Sequence, residues 1–154
     1  MKTEFVNPFV TAAIEVLQQE AKVKTVQKGT LSLESSARTS KDITILIGIT
    51  GSISGLVLYC ISTPTALKIV EAMAGEKYET FDKMAQSAIA EFANMVTGNA
   101  SIGLEKAGYP CKISPPTLII GKNTEISTVN VQRIVIPFNT GIGQIEIDVA
   151  LRQG

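Results

Sequence analysis

The chain has 154 residues, the usual size of one domain, and a chain this long buries roughly 70% of the surface it exposes when unfolded. Its 14 basic residues balance its 14 acidic ones with no basic run anywhere, which argues against nucleic acid or an anionic membrane as a partner. It contains no histidine, so the usual general base, the usual zinc ligand and any phosphohistidine relay are excluded, leaving carboxylates, amides and hydroxyls for chemistry.

Asn7 followed by Pro8 predicts a helix N-cap with proline at the first helical position. The helix would run to about Glu20 with Phe9, Ala12, Ala13, Val16 and Leu17 on one face. Glu4 and Asn7 have an acid-to-amide spacing that recurs later in the chain, but here they read as part of the cap. From Lys24 to about Ser35 the pattern is strand-like and interrupted at Gly29, and Ser36 to Lys41 reads as a polar loop. Ile43, Ile45, Ile47 and Ile49 alternate with smaller or polar residues, Gly51-Ser52 turns, and Gly55 to Ser62 returns, which predicts a β-hairpin. The glycines from Gly48 to Gly55 lack both the Walker lysine and the G-x-G-x-x-G spacing, so they read as turn geometry rather than a phosphate loop.

Thr63-Pro64 predicts the start of a short helix to about Met73, ending near Gly75, with Leu67, Val70, Met73 and Ala74 buried. The longest helical pattern follows, from about Phe81 to Ala107, capped near Thr80 and stopped by Gly108 and Pro110. Beyond it lie short β segments at Cys111 to Ser114 and Thr117 to Gly121, with Pro115-Pro116 limiting pairing. Longer ones follow from about Ser127 to Phe138 and from Gln144 to Arg152. The last alternates strictly, with Ile145, Ile147, Val149 and Leu151 against Glu146, Asp148, Ala150 and Arg152, which predicts a sheet covered on one side only. The rhythm from Ile136 to Ile147 echoes that of the Ile47 to Leu58 hairpin, as an internal duplication would, though glycine turns between strands would give the same echo. Together these elements give an α+β fold, a largely antiparallel sheet with long helices packed on one face. Cys60 and Cys111 have no metal-type spacing and read as thiols that serve as structural filler. With no signal-peptide pattern and no apolar stretch of membrane-spanning length, a cytoplasmic single domain over residues 1–154 is expected.

Within the long helix, 3.6-residue periodicity aligns Ser87, Glu91, Asn94, Gly98, Ser101 and Glu105 as a narrow polar seam. The rest of the cylinder, from Met84 and Ala88 to Ile102 and Leu104, is apolar enough to be largely packed. An acid and an amide one turn apart on an open strip, with only glycine at the next step, can approach another molecule's backbone closely. On spacing alone such a pair is usually solvated decoration. The sequence Ser87-x3-Glu91-x2-Asn94, followed at Pro116 by proline after twenty-one intervening residues, resembles the signature of the bacterial chemotaxis phosphatases of the CheC, CheX and FliY group. Ile49-Thr-Gly51 with Gly55, Thr65-Ala-Leu-Lys68, Asn94-Met95 and Ser114-Pro-Pro-Thr117 extend the likeness to CheX over nearly the whole chain. Serine stands where the motif often begins with aspartate.

The resemblance implies a phosphatase whose substrate is a phosphorylated CheY-like response regulator and whose working form is a homodimer joined through sheet edges. It implies Glu91 and Asn94 as catalytic, Ser87, Gly98 and Ser101 as partner contacts, and Pro116 as shape-setting. The physics agrees. An aspartyl phosphate is an activated acyl phosphate, so its hydrolysis needs a positioned water more than a strong base, and a side-chain amide can orient one. Glu91 can pair with a lysine of the partner. The seam offers no metal site and no cofactor of its own is expected, so Mg2+ would be carried by the partner's receiver domain. The competing reading is a non-catalytic module that binds a receiver or a flagellar-switch component with the same helix. A stand-alone hydrolase of small phosphoesters is disfavoured, because the chain shows no nucleophile-and-base pair.

Overall fold

The computed structural model describes residues 3–34, 36–38, 41–122, 124–127 and 132–153. In chain order the elements are α1 (Thr3–Gln19), β1 (Val26–Lys28), β2 (Ser32–Glu34), β3 (Ser36–Arg38), β4 (Ile43–Gly51), β5 (Ile53–Ile61) and α2 (Thr63–Ala74). They continue with α3 (Lys83–Lys106), β6 (Cys111–Ile113), β7 (Thr117–Ile120), β8 (Glu125–Ser127), β9 (Arg133–Thr140) and β10 (Gly143–Gln153). The main sheet has the order β1-β9-β10-β5-β4-β6, with β2 also on β9 and β7 also on β4, every pair antiparallel. β3 and β8 form a separate two-stranded ribbon.

The alternating isoleucines of β4 explain why the helices lie where they do. Ile43, Ile45, Ile47 and Ile49 are each at most 1% exposed and share one core with Val57, Tyr59 and Ile61 of β5 and with Ile145, Ile147 and Val149 of β10. The same core takes in Phe9, Ala13 and Leu17 of α1, Ile69 and Val70 of α2, and Ile89, Phe92 and Val96 of α3. Burial of that apolar surface drives the assembly. Gly51 (φ +126°) makes the turn between β4 and β5, and Gly55 (φ +147°) holds a backbone conformation that side chains resist, pressed against the Ala150 carbonyl. The glycines of this stretch are therefore turn and packing residues.

The echo between the two hairpins extends to the whole order of elements. α1 to β5 repeats as α3 to β10, with α2 as the connector. Each half lends its first two short strands to the other's long one, β1 and β2 to β9, β6 and β7 to β4. Laying Gln19, the last residue of α1, on Lys106, the last of α3, also lays Glu4 on Glu91 and Asn7 on Asn94.

Several expectations are corrected. α1 begins at Thr3 and Pro8 lies inside it, so Asn7 is a helical residue and not an N-cap. A proline there loses one backbone bond and crowds the preceding turn, but Phe5 and Val6 ahead of it are 2% and 3% exposed, and their burial keeps the helix going. The caps of the other helices fall beside the expected ones. The Ser62 side chain accepts from the Thr65 amide and the Asp82 side chain from the Ala85 amide, while Thr63 instead donates to Asp42. Ala74 is exposed rather than buried.

Ser36 to Arg38, expected as loop, form β3, because a two-stranded ribbon needs backbone pairing rather than an apolar face. Residues 39 and 40 of that expected loop, residue 35 and residues 128–131 of the expected strand from Ser127 lie outside the described residues. The largest departure is on β10. Its second face is not open, since Asp148 and Ala150 are 3% and 1% exposed, as are Leu58 at 1% and Cys60 at 4% beside them. An acid can go inside by keeping its proton, and burial raises the Asp148 carboxyl, with the buried Arg133 opposite it, Nε 3.9 Å from Oδ2.

Candidate functional site

The seam lies on a single unbroken helix, α3, from Lys83 to Lys106. Asp82 caps its first turn, and the chain leaves it at Gly108, whose φ of +98° suits glycine. The buried side of α3 is rich in small residues, Ala85, Ala93 and Ala100 among Ile89, Phe92, Val96 and Leu104, so the helix sits close to the sheet. On the outer side Ser87 and Glu91 are exposed, and Asn94, Gly98 and Ser101 are half-buried. Among the described residues the Glu91 and Asn94 side chains make no hydrogen bond or ion pair, so both are available to another molecule. The Ser101 hydroxyl donates to the Gly98 carbonyl at 2.7 Å, which leaves it able only to accept. Pro116 belongs to a different element, half-buried in the break between β6 and β7 where pairing with β4 is interrupted. The Gly48 amide there donates to Ser114 Oγ at 2.8 Å.

The open strip is broader than the polar seam. Met84 and Ile102, expected to pack, are 69% and 53% exposed, because the sheet and α1 together cover less of the cylinder than the apolar pattern would fill. A groove of about 600 Å³ runs between α1 and the second half of α3, lined by Asn7, Thr11, Asn99, Ile102 and Lys106 among others. Neither Glu91 nor Asn94 lines it.

Glu4 and Asn7, the acid-to-amide pair of α1, differ from their counterparts. Tyr109 Oη donates to Glu4 Oε1 at 2.7 Å, and the Tyr109 ring meets Phe5 edge-on with centroids 5.0 Å apart. The acid of that pair, though exposed, is thus engaged by Tyr109.

On the strip, Glu91 and Glu105 stand about 21 Å apart along the axis at 1.5 Å per residue, too far to share an ion. Among the described residues, the three possible ligand side chains that do converge are Cys60, Glu146 and Asp148 on the sheet's second face. There burial pushes the Cys60 thiol up, away from the thiolate a metal needs, and burial also lifts the Asp148 carboxyl. The Arg133 guanidinium beside them disfavours a cation further.

Sequence reasoning passed over one feature of α3. Thr97, 0% exposed, forms a 2.6 Å hydrogen bond with the hydroxyl of Tyr59, also 0% exposed, on β5. A threonine on an apolar helix face, opposite an inward-facing tyrosine of the strand below, was the available signal.

Comparison with known proteins gives consistent matches. The model of the family Chemotaxis phosphatase CheX matches residues 43–139. The chain is 33% identical over 132 residues to the CheY-P phosphatase CheX of Thermotoga maritima, covering 85% of this chain and 84% of that one. A CheC-like superfamily protein from Shewanella sp. PV-4 has a TM-score of 0.87 at 29% identity and covers 99% of each chain. The CheX of a CheX-CheY-BeF3-Mg2+ complex from Borrelia burgdorferi has a TM-score of 0.81 at 28% identity, covering 96% of this chain and 97% of that one.

Proposed function

The chain belongs to the chemotaxis phosphatase CheX family, and from that premise we propose that it hydrolyses the aspartyl phosphate of a CheY-like response regulator. Asn94 orients the attacking water and Glu91 engages a basic residue of the receiver. The observation that carries this reading is the placement of Glu91 and Asn94 one turn apart on an unbroken helix, open to a partner and, among the described residues, without internal partners of their own. Phosphoryl transfer from an acyl phosphate is governed by in-line positioning and charge neutralisation, so an amide that accepts from a water and donates to a phosphoryl oxygen is sufficient equipment. Mg2+ is carried by the receiver, in keeping with its presence in the Borrelia burgdorferi complex and with the wide separation of the strip's carboxylates. Ser87 and Gly98 frame the contact, Ser101 lies at its edge, and Pro116 shapes the strands under the helix.

A homodimer joined at sheet edges and a cytoplasmic setting belong to the same reading. Leu33 on β2 and Ile120 on β7 are each 59% exposed, on short outer strands suited to pairing with a second copy. Among the described residues no helix is long and apolar enough to cross a membrane.

The test is turnover. A trace of the protein added to excess phosphorylated receiver with Mg2+ should release phosphate well beyond one equivalent and faster than the receiver alone. Release at or below the receiver's own rate, with binding retained, would establish the non-catalytic module instead.

A further inference from the structure

The apolar face that seats α3 is built largely from alanines and aliphatic side chains, and apolar contact has little directional preference. Something else must fix how far the helix is rotated about its axis. At about 100° per residue, Thr97, Asn94 and Glu91 step round the cylinder in increments of about 60°. They pass from fully buried through half-buried to exposed. A turn of about 10° moves a side-chain tip 5–6 Å from the axis by about 1 Å, and a misplacement of that size can cost up to about 10²-fold in rate.

Thr97 Oγ1 donates to the Ala93 carbonyl at 2.8 Å, which leaves its lone pairs to accept from the Tyr59 hydroxyl at 2.6 Å. Among the described residues this is the one side-chain hydrogen bond tying α3 to the sheet. Its chain of bonds ends on the peptide group that links Ala93 to Asn94. We propose that Tyr59 and Thr97 are positioning residues for the phosphatase reaction, acting as a tether that sets the rotation of α3 and so aims the Asn94 amide. The inference rests on the assignment of Asn94 as the water-orienting group. Neither residue touches the substrate.

The experiment measures kcat and KM for a phosphorylated receiver with Mg2+ in six variants and the wild type. Tyr59→Phe removes only the hydroxyl and should lower kcat about tenfold with KM within about twofold of wild type. Thr97→Val should do the same, Thr97→Ser should keep wild-type kcat, and the double variant Tyr59→Phe/Thr97→Val should be no worse than either single one. In an Asn94→Ala background, Tyr59→Phe should lower kcat no further, whereas a loss of folded protein would lower it in both backgrounds. Wild-type kcat in Tyr59→Phe, a tenfold loss in Thr97→Ser, or equal losses with and without Asn94 would each overturn the tether. If Asn94→Ala is nearly inactive and Tyr59→Phe is not impaired, the tether alone fails. If Asn94→Ala itself keeps the wild-type rate, the assignment of the site falls and the tether falls with it.

Discussion

Replacing Asn94 by alanine should move stability and rate in opposite directions. The side chain is half-buried on the outer face of α3 and makes no hydrogen bond to the described residues, so truncation orphans no partner and opens no cavity. Alanine is a better helix former than asparagine by about 0.6 kcal/mol, which at this chain length should raise Tm by about 2 °C. On the proposed role of Asn94, the reaction loses the group that orients water. Removal of a single well-placed transition-state donor typically costs about 10²-fold or more, near 2.7 kcal/mol. Asn94→Asp keeps the shape but places a negative charge against the phosphoryl group, and should lose at least as much. The assay is phosphate release from saturating phosphorylated receiver with Mg2+, run beside a thermal melt of the same preparation. A rate within twofold of wild type, or a lost rate that tracks a lowered Tm, would refute the reasoning.

Glu91→Lys should leave the melt unchanged, because the residue is exposed, while weakening affinity for a receiver activated with beryllium fluoride by about tenfold through opposed charge. Unchanged affinity in a binding titration would show that Glu91 does not face the receiver. Gly55→Ala should cost about 3 kcal/mol or more in urea unfolding, because the backbone there is left-handed and the added Cβ runs into the Ala150 carbonyl; a shift under about 1 kcal/mol would contradict that geometry. The Asp148 carboxyl is pushed up to about 8, first by burial and then by Glu146, with Arg133 pulling the other way. Its folded form therefore holds a proton that the unfolded chain releases near pH 3.8. The stability it contributes is complete below that pH and is lost as pH rises toward about 8, so Asp148→Asn should flatten the decline in urea midpoint between pH 5 and 8. Parallel declines in wild type and variant would refute it.

The amino-acid sequence by itself determined those parts of the protein whose signal is local. The strict alternation of Ile43 to Ile49 with the Gly51-Ser52 turn sufficed for the central hairpin. The span of α3 could be read from 3.6-residue periodicity and Gly108, and the alignment of Ser87, Glu91 and Asn94 follows from helix geometry alone. Tertiary structure decided whatever depends on what lies opposite. Asn7 and Pro8 look like a cap, but buried Phe5 and Val6 carry α1 through them. Asp148 looks like a surface acid, but the fold encloses it beside Leu58 and Arg133, and burial lets it keep its proton. Met84 and Ile102 look packed, but the sheet and α1 leave them uncovered. The bond from Tyr59 to Thr97 joins residues whose nearness only the folded sheet creates, since a periodicity tells which side of an element prefers burial but not which partner arrives to bury it.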